Sequence, residues 1–179
     1  VMGKTAAEDK SFTIGGQTTS LNCNGLVHDS ESSLYVLNQG FLLRINPQTG
    51  NLLWSANVGG ASHELRLVLG VPVVLRTVGS GFGLVGFAPS TGAQTFATVS
   101  TPGVASPSFN ADELGRLFLA CNKTASVTTV RGFSSNGTTL WTRDLADPSL
   151  GVPKGSPLIV GTRSTSAGTL LRLNPLTGA

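Results

Sequence analysis

Apolar residues in this chain come in short runs separated by polar turns. Runs at 34–37, 73–77, 117–121 and 158–161 are dense in aliphatic side chains. They are too short for helices and suit strands buried on both faces. A second strand follows each run and leads into a polar turn. Beyond the turn a third strand carries an aromatic. Weaker stretches near 25–28, 64–69 and 105–109 predict one further strand ahead of each set. No segment shows the i, i+3, i+4 spacing of an amphipathic helix. The longest apolar stretch, 65–75, is interrupted by Arg66, Gly70 and Pro72 and falls short of the ~20 residues of a membrane-spanning helix.

The pattern repeats. Residues 42–54 read LLRINPQTGNLLW, 84–96 read LVGFAPSTGAQTF, 129–141 read TVRGFSSNGTTLW and 170–179 read LLRLNPLTGA. The turn glycines Gly50, Gly92, Gly137 and Gly178 recur about every 43 residues, a period typical of propeller blades. An aromatic follows at a constant offset in the first three copies: Trp54, Phe96 and Trp141. Pro presets φ early in the turn, and Gly takes the positive φ that a side chain resists.

Three or four antiparallel strands per repeat predict an all-β fold, a β-propeller of about four blades or part of a larger one. The expected organisation is one domain, 1–179. Its approximate blades are 17–60, 61–103, 104–147, and 148–179 plus 11–16. The last assignment rests on Ser11-Phe12-Thr13-Ile14-Gly15-Gly16, which matches residues 55–60 one repeat on. That N-terminal strand is expected to complete the last blade. Two other geometries stay open: exchange of the strand with a neighbouring copy, and a longer polypeptide of which this is a piece.

Composition narrows the class. Charged residues are 12% and hydrophobic residues 40% of 179. A helical bundle needs more charge on its solvent faces, and a disordered chain has less to bury. Net charge is +3, yet the arginines are scattered singly. Nucleic-acid binding needs a basic patch or stripe, so no nucleic-acid partner is expected. Cys23 and Cys121 lie far apart with no Cys-x-x-Cys spacing, which argues against zinc. Two buried thiols are favoured over a disulfide.

The turn Asn46-Pro47-Gln48-Thr49-Gly50 with Trp54, and its copy Asn174-Pro175-Leu176-Thr177-Gly178, resemble the blade of the PQQ-type (quinoprotein-like) β-propeller superfamily. Phe96 replaces Trp in the second copy, and the third has the shorter turn Ser-Ser-Asn-Gly. The resemblance implies that Trp54, Phe96 and Trp141 pack between neighbouring blades, with Gly50, Gly92, Gly137 and Gly178 supporting them. Enzymes of the superfamily carry a vicinal Cys-Cys pair, cofactor-binding acids and a calcium site. No Cys-Cys occurs here, so the resemblance implies a noncatalytic member without cofactor or metal.

Other motifs carry less. Gly81-Phe82-Gly83-Leu84-Val85-Gly86 matches G-x-G-x-x-G, but a strand and a turn follow it where a dinucleotide site needs a helix. Gly3-Lys4-Thr5 lacks the rest of a phosphate loop. His28 and His63 occupy different phases of the repeat and have no nucleophile or acid at a recognisable spacing. Asn110, Asp112 and Glu113, like Asp144 and Asp147, read as solvated turns more than as cation ligands. Asn122 and Asn136 begin glycosylation sequons, Asn122 in an expected loop and Asn136 in the repeat turn. Arg44 and Arg172 share one phase, but Gly86 takes it in the second copy, so at most two guanidiniums could converge on a central channel, and a periodic residue reads more as a blade-packing or edge position.

The function expected is a noncatalytic extracytoplasmic scaffold or protein-interaction module, self-assembling through blade edges. Its partners would be another protein or copies of itself, with glycans kept in view and no membrane span. The alternatives are a small-ligand or quinone-dependent enzyme domain with a site in the central channel, and a carbohydrate-binding propeller.

Overall fold

The computed structural model of the chain describes residues 12–14, 17–19, 23–29, 33–146, 159–163 and 168–179. Among these the only regular element is the β-strand. Strands β1 (Phe12–Ile14) and β2 (Gln17–Thr19) pair antiparallel. The first four-stranded sheet runs in order through β3 (Cys23–His28), β4 (Leu34–Asn38), β5 (Phe41–Ile45) and β6 (Leu52–Asn57). The second holds β7 (Ser62–Val68), β8 (Val71–Val78), β9 (Gly81–Phe87) and β10 (Gln94–Ala97), with β11 (Thr101–Pro102) also on β9. The third runs through β12 (Ala105–Ala111), β13 (Leu117–Thr124), β14 (Val127–Phe133) and β15 (Thr139–Ala146). A last pair joins β16 (Ile159–Arg163) and β17 (Gly168–Arg172). Each sheet is an antiparallel meander, as tight hairpin connections require.

Burial explains the sequence pattern. The middle strands lie between two neighbours, and every residue of β9 is buried. They therefore read as continuous apolar runs. The outer strand β6 alternates between exposed and half-buried positions, so it reads as mixed. Tyr35, Leu37, Leu42 and Val58 of the first sheet and its connection pack on Leu65, Val74, Val85 and Phe87 of the second. Between the second and third sheets Leu75, Phe82 and Leu84 meet Phe109, Leu119, Cys121 and Phe133. On the far face of the third sheet Phe118, Val130 and Trp141 cluster with Leu173 of the last repeat.

The same device recurs at each seam. Trp54 lies on Gly92 of the next sheet's turn, and its indole N–H donates to the Pro89 carbonyl at 2.7 Å. Trp141 lies on Gly178 and donates to the Pro175 carbonyl at 3.0 Å. Phe96 lies on Gly137 and has no N–H to donate. On their other sides the Phe96 and Trp141 rings press against strand glycines of their own sheets, Gly86 and Gly132. Arg44 replaces that glycine beside Trp54 and also donates to the Pro89 carbonyl, at 2.8 Å.

The two departures from the repeat meet at one seam. The Gly92 and Gly178 amides bond to Ala88 and Asn174, whereas the Gly137 amide bonds to Ser134, one residue nearer. The smaller aromatic of the second sheet thus faces the shorter turn of the third. The fit leaves a cavity of about 70 Å³ lined by Val71, Val73, Phe96, Leu117 and Ser135, among others. Ser135 stands where Pro89 and Pro175 stand in the longer turns. Phe96→Trp therefore fills the cavity and brings an indole N–H towards the Ser135 carbonyl. It should stabilise the protein by about 1 kcal/mol, read as a higher urea midpoint at unchanged slope. A lower midpoint would mean that the short turn excludes the larger ring.

The described partner of the N-terminal strand Phe12–Ile14 is Gln17–Thr19. Two glycines in sequence separate these strands, which favours a tight local hairpin. Closing so short a loop costs less chain entropy than a return across the whole chain.

Candidate functional site

The inner strands β3, β7 and β12 surround a concavity of about 530 Å³. Its wall holds Leu26 and Val27 of β3, Glu64 to Val68 of β7, and Asn110 and Ala111 of β12. Glu64 and Arg66 point to the same side of β7 because they are two residues apart on a strand. Arg66 Nε donates to Glu64 Oε1 at 2.6 Å, and its guanidinium stands 5.4 Å over the Phe109 ring. Asp112 closes the β12–β13 hairpin. Its Oδ1 accepts the Leu114 and Arg116 amides at 3.0 Å, and its Oδ2 accepts Arg116 Nε at 2.6 Å. Asn110 Oδ1 accepts the Ala111 amide at 2.9 Å. The ionised groups lining the hollow are thus paired within the chain, and Asn110 adds a further polar group beside the apolar side chains of Leu26, Val27, Leu65, Leu67 and Val68.

Two hairpin tips rise beside the hollow. Leu69 and Gly70 form the β7–β8 turn with φ of 50° and 80°. Both signs are positive, as a two-residue turn of the right twist demands. Leu69 rests partly on Gly115 of the neighbouring hairpin. Even so it is 68% exposed, as is Leu114, and Leu26 is 59% exposed. Sequence reasoning did not single out these leucines. The signal was present: Leu69 stands at the first position of a two-residue hairpin turn, where Asn, Asp or Gly is usual.

The structure separates the residues that the sequence offered for chemistry. The Gly81–Gly86 motif lies inside β9, paired on both sides, with no helix to receive a phosphate. Gly3, Lys4 and Thr5 lie outside the described residues, as does Asp147. His28 Nδ1 approaches the Asp29 carbonyl at 3.3 Å, while His63 Nε2 meets Thr77 Oγ1 at 2.8 Å. Arg44 lies in the first seam and not on the channel, over the Tyr35 ring and bonded to Ser33 Oγ at 2.7 Å. Its phase in β5 turns it toward the second sheet. The Arg172 side chain lies outside the described set. Among the described residues no three of His, Cys, Asp and Glu gather as a metal site requires.

Asn122 lies within β13 and not in a loop. Its carbonyl accepts the Val104 amide at 2.7 Å and its Oδ1 accepts the Thr128 hydroxyl at 3.1 Å. The run 117–124 continues as strand because both neighbours pair along it. Asn136 is exposed at the turn, its Oδ1 accepting the Thr138 amide at 3.2 Å. A second groove of about 290 Å³, by Lys123, Thr129, Arg131 and Asp144, is also internally paired. Lys123 Nζ and Thr129 Oγ1 each sit 2.7 Å from the Asp144 carboxylate and hold its pKa below the ordinary 3.8.

Cys121 is a free thiol, buried, and its S–H donates to the Pro102 carbonyl at 3.3 Å. Burial pushes its pKa to about 11. The thiolate is the reactive form, so Cys121 is inert at neutral pH. In a Cys23→Ser variant, a thiol reagent at pH 7 should label the folded protein at least tenfold more slowly than the urea-unfolded one. Equal rates would show that the seam around Cys121 opens freely. The Cys23 side chain lies outside the described set.

No protein-family model and no curated protein sequence matches the chain. Solved structures do. A protein of unknown function from Bacteroides caccae aligns at TM-score 0.56 and 15% identity, covering 87% of this chain and 58% of that one. A Dos1 propeller aligns at TM-score 0.54 and 16% identity, covering 78% of this chain and 42% of that one. BamB from Moraxella catarrhalis aligns at TM-score 0.42 and 16% identity, covering 87% and 59%. The chain therefore spans about half the length of the structures it matches. Successive antiparallel meanders around a common inner wall, together with the likeness to the Dos1 propeller, define the fold as a β-propeller.

Proposed function

We propose that this chain is a noncatalytic β-propeller module that binds a protein through the hairpin face around the concavity. Leu69 carries the reading. A non-glycine residue in the left-handed region costs about 1–2 kcal/mol. Its side chain is also mostly in water, where it contributes little to the core. A strained, exposed leucine at the edge of a hollow with a mixed polar and apolar lining is explained by contact with a partner. The internal pairing of Glu64 with Arg66 and of Asp112 with Arg116 supports a noncatalytic surface, because it leaves these groups committed to one another. The turn sequences and the ring-on-glycine seams support membership of the PQQ-type superfamily. Richness in Gly, Ser and Thr with few lysines supports a place outside the cytoplasm.

Photo-crosslinking tests this reading. A photoreactive residue is placed at 69, and in a control protein at Leu53 on the outer strand. The natural host then expresses each. A protein adduct formed from 69 and not from 53 is expected. No adduct from 69, or equal adducts from both, would remove the hairpin face as the binding surface.

A further inference from the structure

We infer that the small cavity beside Leu69 is an anchor pocket, which takes one branched aliphatic side chain of the bound protein, carried next to a basic residue. The inference rests on the reading of the hairpin face as a protein-binding surface and names the chemistry of the partner. Three irregularities converge there. The second repeat has Phe96 where its neighbours have Trp. The third has the short turn, with Ser135 in place of proline. Leu69 holds a φ of 50° at the rim. The first two remove ring atoms that the other seams possess, and about 70 Å³ stays open between Phe96, Val71, Val73 and Leu117. Leu69 and Ser135 are exposed, and Val71 and Phe96 half-buried, so the space opens to the surface at the hairpin tips. Ser135 carries the one polar side chain of its described lining, so a water inside would lack the two to four partners that hold one. An apolar cavity of about 150 Å³ holds a benzene, and about half that volume suits the end of a Leu, Ile or Val side chain and excludes a ring. Charge at the rim defines the neighbour of that side chain. Asp112 is paired with Arg116. Glu113, two residues before Gly115 of the cavity wall, is exposed, and among the described residues no cation pairs with it. A Lys or Arg next to the aliphatic anchor meets that carboxylate.

Titration of the full chain with acetyl-dipeptide amides, read on the NMR signals of the Val71, Val73 and Leu117 methyl groups, tests the inference. Acetyl-Leu-Lys amide should shift these signals to saturation. Acetyl-Ala-Lys amide underfills the pocket and acetyl-Phe-Lys amide does not fit it, so each should bind at least about tenfold more weakly. Acetyl-Leu-Glu amide should also bind more weakly, by a margin that added salt removes. Phe96→Trp fills the pocket, so it should bind acetyl-Leu-Lys amide at least about tenfold more weakly, at a urea midpoint no lower than that of the wild type. The dipeptide comparison on the wild type stands by itself if that midpoint falls. Absence of saturation, equal binding of the Leu, Ala and Phe peptides, or a stable Phe96→Trp that binds as the wild type does overturns the pocket. Equal binding of the Lys and Glu peptides overturns the basic neighbour. If the peptides fail while residue 69 crosslinks to a protein, the pocket falls and the hairpin face stands. If they bind and no adduct forms at 69, the protein-binding reading falls, and the anchor role of the pocket falls with it.

Discussion

Trp141→Ala will lower the stability of the protein by about 3–5 kcal/mol, the range for deleting a buried Trp. The side chain is 8% exposed and sits between two backbones. A Cβ on Gly132 would come 2.5 Å from its ring on one side, and one on Gly178 would come 2.7 Å from it on the other. The Phe118 ring stands 6.1 Å away, tilted by 30°. Neither glycine wall carries a side chain to refill the space, so it closes only as far as Phe118 and its cluster can shift. The variant also leaves the Pro175 carbonyl without its indole donor. Trp141→Phe separates these parts. It keeps most of the ring and loses the hydrogen bond, and it should cost about 1 kcal/mol. Urea titration at unchanged slope reads both. A loss under 1 kcal/mol for Trp141→Ala would show that the seam to the last repeat contributes little to the fold.

Gly92→Ala will cost about 2–3 kcal/mol, more than a methyl group on a turn usually does. Two effects combine. The backbone at Gly92 has φ of 72°, which an L side chain resists. The new Cβ would also lie 2.7 Å from the Trp54 ring, so the indole must leave the turn and its bond to Pro89. Gly70→Ala is the control. Its φ is 80°, and nothing lies within 4 Å of the added Cβ. That variant should lose only the conformational part, about 1 kcal/mol. The difference between the two measures the docking of Trp54 on the next sheet. Trp54 emission should shift to the red in Gly92→Ala alone. Equal losses would mean that the ring moves aside without cost.

These two variants also show how far the chain could be read without its structure. The glycine–aromatic period was visible because each blade repeats the same local problem. A turn with positive φ needs glycine, and an outer strand needs one large ring. That the rings pack between blades was implied by the family resemblance; which glycine each ring meets was not visible. Trp54 and Gly50 share a repeat in sequence, yet the described partner of Trp54 is Gly92 of the next. The same holds for the shortened turn and Phe96. They stand in different copies and look like separate departures until the seam brings them together.

The proposed binding face was hidden for a different reason. Leu26, Leu69 and Leu114 look like core residues in a chain so rich in aliphatic side chains. The exposure of Leu69 and Leu114 follows from where each hairpin ends relative to its neighbour, and that of Leu26 from its place on the inner edge strand β3. Arg44 took the packing position that a periodic residue suggests, at the seam by Pro89. The channel alternative stood open in the sequence because the side of a strand that faces a channel or a seam depends on sheet packing.

What the sequence by itself determined was local and periodic: β-strands, their order, the turns and the length of the repeat. Those follow from side-chain alternation and from φ preferences that neighbouring residues set. The contacts at the seams between sheets and the leucine-rimmed hollow were decided only by the tertiary structure. They depend on which faces meet across about 40 residues of chain, and packing between repeats selects those contacts with no mark at either residue alone.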